Sequence, residues 1–333
     1  MQPDYRARAA AGTRALQRWY RPRTGGWKTT GWWNAANALT AVIRYTRHTG
    51  DQAHSSVIET TFRAAQRKNP GFINKFFDDN GWWALAWVAA YDLTGDGRYL
   101  DAARTIFAHN LTGWDGTCGG GLWWNTERKY KNAITNELFL TLAALLHQRT
   151  QGDQEYLSWA LRGWDWLTAR ALIGPSGLIN DGLTADCVNN GALTWTYNQG
   201  TVLGGLAALY DITGDRAYLR HGEFIADATL SGLTSPRGIL TEPCESSGCN
   251  GDQTQFKGIF VRYLHEFCLR SDRPAYRAFI LANADSVWDN ARNAADQFGL
   301  RWGGPFDKAD ASRQASALEA IIAATALREH SAS

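Results

Sequence analysis

Thr94-Gly95-Asp96-Gly97-Arg98-Tyr99-Leu100 reads as the end of one helix and the start of the next, and it recurs. Thr49-Gly50-Asp51, Gly152-Asp153 before Tyr156-Leu157, and Thr213-Gly214-Asp215 before Tyr218-Leu219 repeat it. Ser271-Asp272 before Tyr276 is a degenerate fifth copy. The aspartates stand 45, 57, 62 and 57 residues apart, a period that signals an array of helical units. In each copy Gly ends a helix by accepting a left-handed conformation, and Asp caps the next by accepting from its first amides.

The helices before these turns are apolar on several faces, as in 138–146, 200–210, 258–264 and 315–327, so they must be buried all round. Those after the turns are amphipathic, as in 98–107, 156–166 and 216–228. Six buried helices are expected at about 33–46, 80–93, 136–148, 199–212, 253–268 and 312–327. Each follows an amphipathic partner, beginning with about 3–20. The expected fold is all-α, an (α/α)6 toroid of six inner and six outer helices, in one domain spanning 1–333. Loops entering the inner helices are long and rich in Gly, Trp and Asn, and one near 122–130 suggests a hairpin. Their common face is the natural binding site.

Composition narrows the ligand. Net charge is +2 over 333 residues, which gives no electrostatic case for nucleic acid. Sixteen Trp stand against one Met, and indoles offer flat surfaces on which the apolar face of a sugar can stack. Apolar runs reach about ten residues, short of the roughly 18 a membrane span needs. Residues 1–20 lack the apolar core of a signal peptide. Cys244 and Cys249 bracket a Ser/Gly turn that suits a local disulfide and an oxidising compartment; pairing of Cys118, Cys187 and Cys268 stays open. No His stands near the cysteines in zinc-finger spacing, so neither metal nor cofactor is expected.

Polar and aromatic residues mark the inner mouths: Trp33 and Asn34, Asp78 and Asp79, Asn132 and Asn136 with Glu137, Tyr197 and Gln199, Asp252 and Gln253 with Lys257, then Arg313 and Gln314. Asn and Asp are good caps, whereas Gln, Trp and Tyr are not. Only Phe76-Phe77-Asp78-Asp79-Asn80-Gly81-Trp82-Trp83 places two carboxylates together. They are either capping acids of a buried helix or the pair a glycoside-cleaving site needs, one to protonate the leaving oxygen and one to attack or activate water. Adjacent anions repel, which raises one pKa and suits a proton donor. Asp181 lies in a long loop and could also reach the cleft. Trp82 and Trp83 follow Asp78 and Asp79 by four residues, so each lies beside its acid on the helix, as packing or as a subsite floor. Trp123, Trp124, Trp195 and Trp302 are in loops and are better stacking surfaces. An epimerase would need His at these mouths, and a magnesium-dependent terpene cyclase further acids after Asp79; residues 80–91 hold none.

These residues resemble glycoside hydrolase family 76, the endo-α-1,6-mannanases, along essentially the whole chain. The matching blocks are FFDDNGWWALAW at 76–87, CGGGLWW at 118–124, YKNAITNELFL at 130–140, GLINDGL at 177–183, NNGALTWTYNQGTVLGGLAALY at 189–210 and CNGDQTQFKGIFVRYL at 249–264. The resemblance implies the toroid, retaining cleavage within α-1,6-linked mannan or mannooligosaccharide, no metal, Asp78 as nucleophile and Asp79 as acid/base. Lys257 and Gln253 are assigned only to the cleft lining. A secreted or cell-surface monomer is expected. The alternatives are a cell-wall transglycosylase using the same acids and a non-catalytic glycan-binding toroid.

Overall fold

The computed structural model describes residues 3–329. Within them run twelve α-helices and a single strand pair, β1 (Tyr20–Arg21) with β2 (Gly26–Trp27). Amphipathic helices α1 (Tyr5–Gln17), α3 (Ser56–Ala65), α5 (Gly97–Leu111), α7 (Glu155–Ala169), α9 (Arg216–Gly232) and α11 (Pro274–Asn290) alternate with more deeply buried ones. The latter are α2 (Trp32–Thr49), α4 (Phe77–Thr94), α6 (Ala133–Gln148), α8 (Thr196–Thr213), α10 (Phe256–Cys268) and α12 (Ala311–Glu329).

The repeated turn works as its residues dictate. Gly50, Gly95 and Gly214 close α2, α4 and α8 with φ of 69°, 71° and 71°, a conformation only glycine adopts without strain. Asp96 and Asp215 then accept from the amides of Arg98 at 3.0 Å and Ala217 at 2.8 Å. Asp153 accepts from the amides of Glu155 and Tyr156.

The helices form two compact units. One holds α4 to α9. Its core is aromatic: Phe72 lies 5.3 Å from Trp83, Trp83 5.7 Å from Trp87 and Trp87 5.5 Å from Tyr99. Trp82 and Trp83 are 3% and 0% exposed, so both belong to this packed core and offer no open face to a sugar ring. Gly81 lets α4 and α6 close, since a Cβ there would stand 3.1 Å from that of Leu138.

The other unit holds α1 to α3 and α10 to α12. Gly258 of α10 lies so close to α12 that a Cβ would stand 2.3 Å from the Ser316 carbonyl oxygen. Glu319, fully buried, accepts from Arg44 Nε at 3.0 Å and Arg262 Nε at 2.9 Å, and Arg262 also donates to Asn37 at 2.8 Å. Buried charge is tolerated there because each ion has a partner.

Helices α4, α6 and α8 each begin three residues before the sequence expectation. Phe76 and Trp195 occupy the N-cap positions of α4 and α8 with no side-chain cap bond. Asp78 and Asp79 therefore lie inside the first turn of α4 and are not its cap. The expected hairpin at 122–130 is instead a turn at 125–128. One backbone bond, from the Trp124 amide to the Tyr130 carbonyl, joins its flanks, while Leu122 bridges to Trp114 and Asn125 to Phe76.

Candidate active site

The mouths of α4, α6 and α8 are drawn together by loop backbone. The Phe77 amide donates to the Trp124 carbonyl at 2.9 Å, and the Trp124 amide to the Tyr130 carbonyl at 2.7 Å. The Ala133 amide opens α6 by donating to the Asp181 carbonyl at 2.8 Å. Gly182 is required here, because a Cβ would stand 2.4 Å from the Tyr130 hydroxyl.

On this frame Asp78 and Asp79 are half-buried. Asp78 Oδ2 accepts from the Trp124 indole Nε1 at 3.0 Å, and Oδ1 from the Asp79 amide at 3.0 Å. Asp79 Oδ2 accepts from Asn74 Nδ2 at 2.7 Å. Asn74 is fixed in turn by Asn80, which bonds both its amide N–H and its carbonyl. Burial, and after it the charge of Asp79, push Asp78 well above the usual carboxylate range, while the Trp124 and Asp79 N–H groups pull the other way.

Asp181 lies on the loop before α8 and is half-buried. Its Oδ2 accepts from the Tyr130 hydroxyl at 2.5 Å, and Asn190 donates to that hydroxyl at 3.0 Å. Burial raises Asp181, opposed by the Tyr130 bond. Burial also raises the half-buried Tyr197, and the charges of Asp181, Asp78 and Glu137 add to it.

Other expected site residues divide into lining and scaffold. Trp123, Trp124 and Trp195 are half-buried. Trp123 Nε1 donates to Asp115 at 2.7 Å, and its ring lies 4.7 Å from Lys131 Nζ. In the other unit Trp33 Nε1 donates to Asp252 at 2.7 Å, which holds a half-buried indole beside an exposed carboxylate. Gln253 is half-buried and accepts from the Asn250 amide of its own loop at 2.9 Å.

Six expected contacts are corrected by burial. Asn136 is fully buried and clamps both the amide and the carbonyl of Leu122. Gln199, also fully buried, does the same to Ile179, at 2.9 Å each. A side-chain amide carries one donor and one acceptor side, so it matches a lone peptide unit and satisfies loop backbone that has no ladder partner. Asn132 is the N-cap of α6. Asn34 is 1% exposed. Lys257, 1% exposed, donates to Leu300 O at 2.7 Å and Glu245 at 2.5 Å, and Trp302, 1% exposed, lies beneath it at 4.8 Å. Neither lines a cleft.

Sequence reasoning missed Tyr130 and Asn74 as the partners of Asp181 and Asp79. Tyr130 opens one of the matching blocks, which was the available signal; nothing local marks Asn74. Among the described residues no three His, Cys, Asp or Glu side chains are grouped to hold a metal ion, and no helix is long and apolar enough to cross a membrane. Among the described residues two disulfides are present, Cys244–Cys249 and Cys118–Cys187, and Cys268 is buried and belongs to neither.

Buried helices alternating with amphipathic ones, and an acid pair at one buried mouth, define an α/α protein with a carbohydrate-type site. The chain belongs to glycosyl hydrolase family 76, whose model matches residues 5–333. It is 30% identical over 262 residues to the mannan endo-1,6-alpha-mannosidase DCW1 of Saccharomyces cerevisiae, covering 70% of this chain and 57% of that protein. The chain thus spans less than three fifths of the length of such curated relatives. It superposes with a TM-score of 0.88, at 26% identity over 98% of this chain and 100% of the other, on an inactive variant of the α-1,6-mannanase GH76A of Salegentibacter sp. HEL1_6. That variant has two consecutive aspartates replaced and is bound to α-1,6-mannotetrose. Dfg5 of Chaetomium thermophilum shares the fold, with a TM-score of 0.86 at 20% identity over 98% and 92% of the two chains. The fold is that of these proteins, an (α/α)6 toroid.

Proposed function

We propose that this chain is a single catalytic domain that cleaves α-1,6-mannosidic bonds within mannan, with retention of configuration. Asp78 attacks the anomeric carbon while Asp79 protonates the departing oxygen. Asp79 then deprotonates the water that releases the glycosyl-enzyme. The observation that carries this reading is the pair of consecutive carboxylates in the first turn of α4, with both oxygens of Asp78 held by N–H donors. Donors on both oxygens orient a nucleophile and favour its anion. The upward push on Asp78 taken alone would suit a proton donor. A proton placed on Asp79 removes the like charge, the second cause of that push, and the two N–H bonds oppose burial, the first, while they fix Asp78 as the attacking group.

Tyr197, Asp181, Trp123, Trp124 and Trp195 are the proposed sugar contacts near the acids. Two disulfides fit an oxidising compartment, which supports secretion or display at the cell surface.

Linear α-1,6-mannan incubated with the protein should yield new reducing ends from internal cleavage, and NMR should detect the α-anomer first. Binding without product would leave a glycan-binding protein. Products longer than the starting chain would make a sugar the acceptor in place of water. A β-anomer formed first would overturn retention.

A further inference from the structure

Glu137 is a buried carboxyl that the reaction above does not use. It is fully buried on α6, and neither of its oxygens has a hydrogen-bond partner in the protein. Leaving a buried acceptor unpaired is costly, and more so for a charged one, so an ionised Glu137 is disfavoured here. Its surroundings follow from helix geometry. Ala133, four residues earlier, lies on the same face of α6 and donates its amide to the Asp181 carbonyl. Side chains on a helix lean toward its N-terminus, so Glu137 leans toward Asp181. One turn further along, Thr141 donates to the Thr201 carbonyl of α8 at 3.2 Å. Stepping back a turn on both helices sets Glu137 level with Tyr197 and Asn198. Asn198 is fully buried and likewise has no partner for either amide atom.

We propose that Glu137 is a positioning residue of the acid site: a carboxylic acid whose retained proton keeps negative charge from building up behind Asp181 and Tyr197. The titratable groups that act on it are Asp181 from the loop before α8 and Tyr197 on α8, and Asp78 and Tyr130 act on that same phenol. None is cationic. Burial first, then the charge of Asp181, raise Glu137 well above the usual carboxylate range. When Glu137 ionises at high pH, its charge raises Asp181, Asp78 and Tyr197 together. That charge has no partner, so it draws water in or displaces the Glu137 side chain, which disturbs the placement of Asp181 and Tyr197, and the site loses activity.

This inference rests on the proposed mannanase reading, and two measurements keep them apart. The first is kcat/KM against pH on linear α-1,6-mannooligosaccharide for wild type and Glu137→Gln, which carries a permanent uncharged mimic. The expected result is near-normal turnover at neutral pH, an alkaline limb moved up by about one pH unit or more, and an unchanged melting temperature at low pH. Superimposable profiles would overturn the proposal. The second needs no variant and no substrate. Infrared spectra of wild-type protein labelled with 13C-carboxyl glutamate should show a label-shifted protonated-carboxyl band at neutral pH. Its absence would overturn the proposal even if Glu137→Gln fails to fold. Absence of any mannan cleavage by wild type, with the band present, would refute the activity while leaving the uncharged Glu137 in place.

Discussion

The indole N–H of Trp124 donates to Asp78 Oδ2 at 3.0 Å across 46 residues of sequence. Trp124 thereby acts as a fixed dipole on the acid, apart from the sugar contact proposed for its ring. Its backbone does the rest, accepting from Phe77 and donating toward Tyr130. One loop residue thus sets the orientation of Asp78 and the position of the phenol that holds Asp181.

Replacing Trp124 by Phe keeps the ring and removes the donor. Asp78 loses a bond that favours its anion, so its pKa rises further. The acid limb of the kcat profile should then move to higher pH, with kcat falling about tenfold, the equivalent of one hydrogen bond to a charged group. Profiles with an unmoved acid limb would show that the N–H does not tune Asp78.

Asp78→Asn and Asp79→Asn should each lower kcat by about a hundredfold or more, the usual scale for a positioned acid or base, with circular dichroism unchanged. Stability supplies an independent sign. Asp78 is raised in the folded state, so its contribution is fully present below the ordinary carboxylate pKa and is lost as pH rises through the folded value. The melting temperature of Asp78→Asn should therefore overtake that of wild type as pH climbs toward neutrality. Parallel curves would mean that Asp78 is not strained by burial.

Gln199→Leu keeps the bulk and strands the Ile179 amide and carbonyl. Each unpaired buried group costs about 1–3 kcal/mol, so urea denaturation should register a loss of about 2 kcal/mol or more. A stability within error of wild type would return Gln199 to the list of sugar contacts.

Glu319→Gln leaves Arg44 and Arg262 buried without their shared anion. Removing one partner of a buried ion pair costs about 3–5 kcal/mol. The melting temperature should fall with no change in KM. A KM shift at constant stability would mean that the network reaches the substrate.

Helix-pair order, the acid pair and the aromatic surplus were legible because each is a local property. Thr-Gly-Asp turns act within a few residues, and burial all round shows as apolar composition along one helix. Which polar mouth residues meet a ligand was not legible. Asn136 and Gln199 read as free amides, yet their partners are loop backbone groups 14 and 20 residues away. The helix starts were misplaced because Phe76 and Trp195 begin α4 and α8 by backbone conformation, with no side chain to announce them.

By itself the sequence determined the class of fold, the helices that had to be buried, and the two neighbouring carboxylates. Periodicity and adjacency need only nearby residues. Tertiary structure alone decided that Trp124 holds Asp78, that Tyr130 holds Asp181, and that Glu137 is buried without a hydrogen-bond partner. Those relations join segments tens of residues apart, and the energy of a buried hydrogen bond or charge depends on what surrounds it in space.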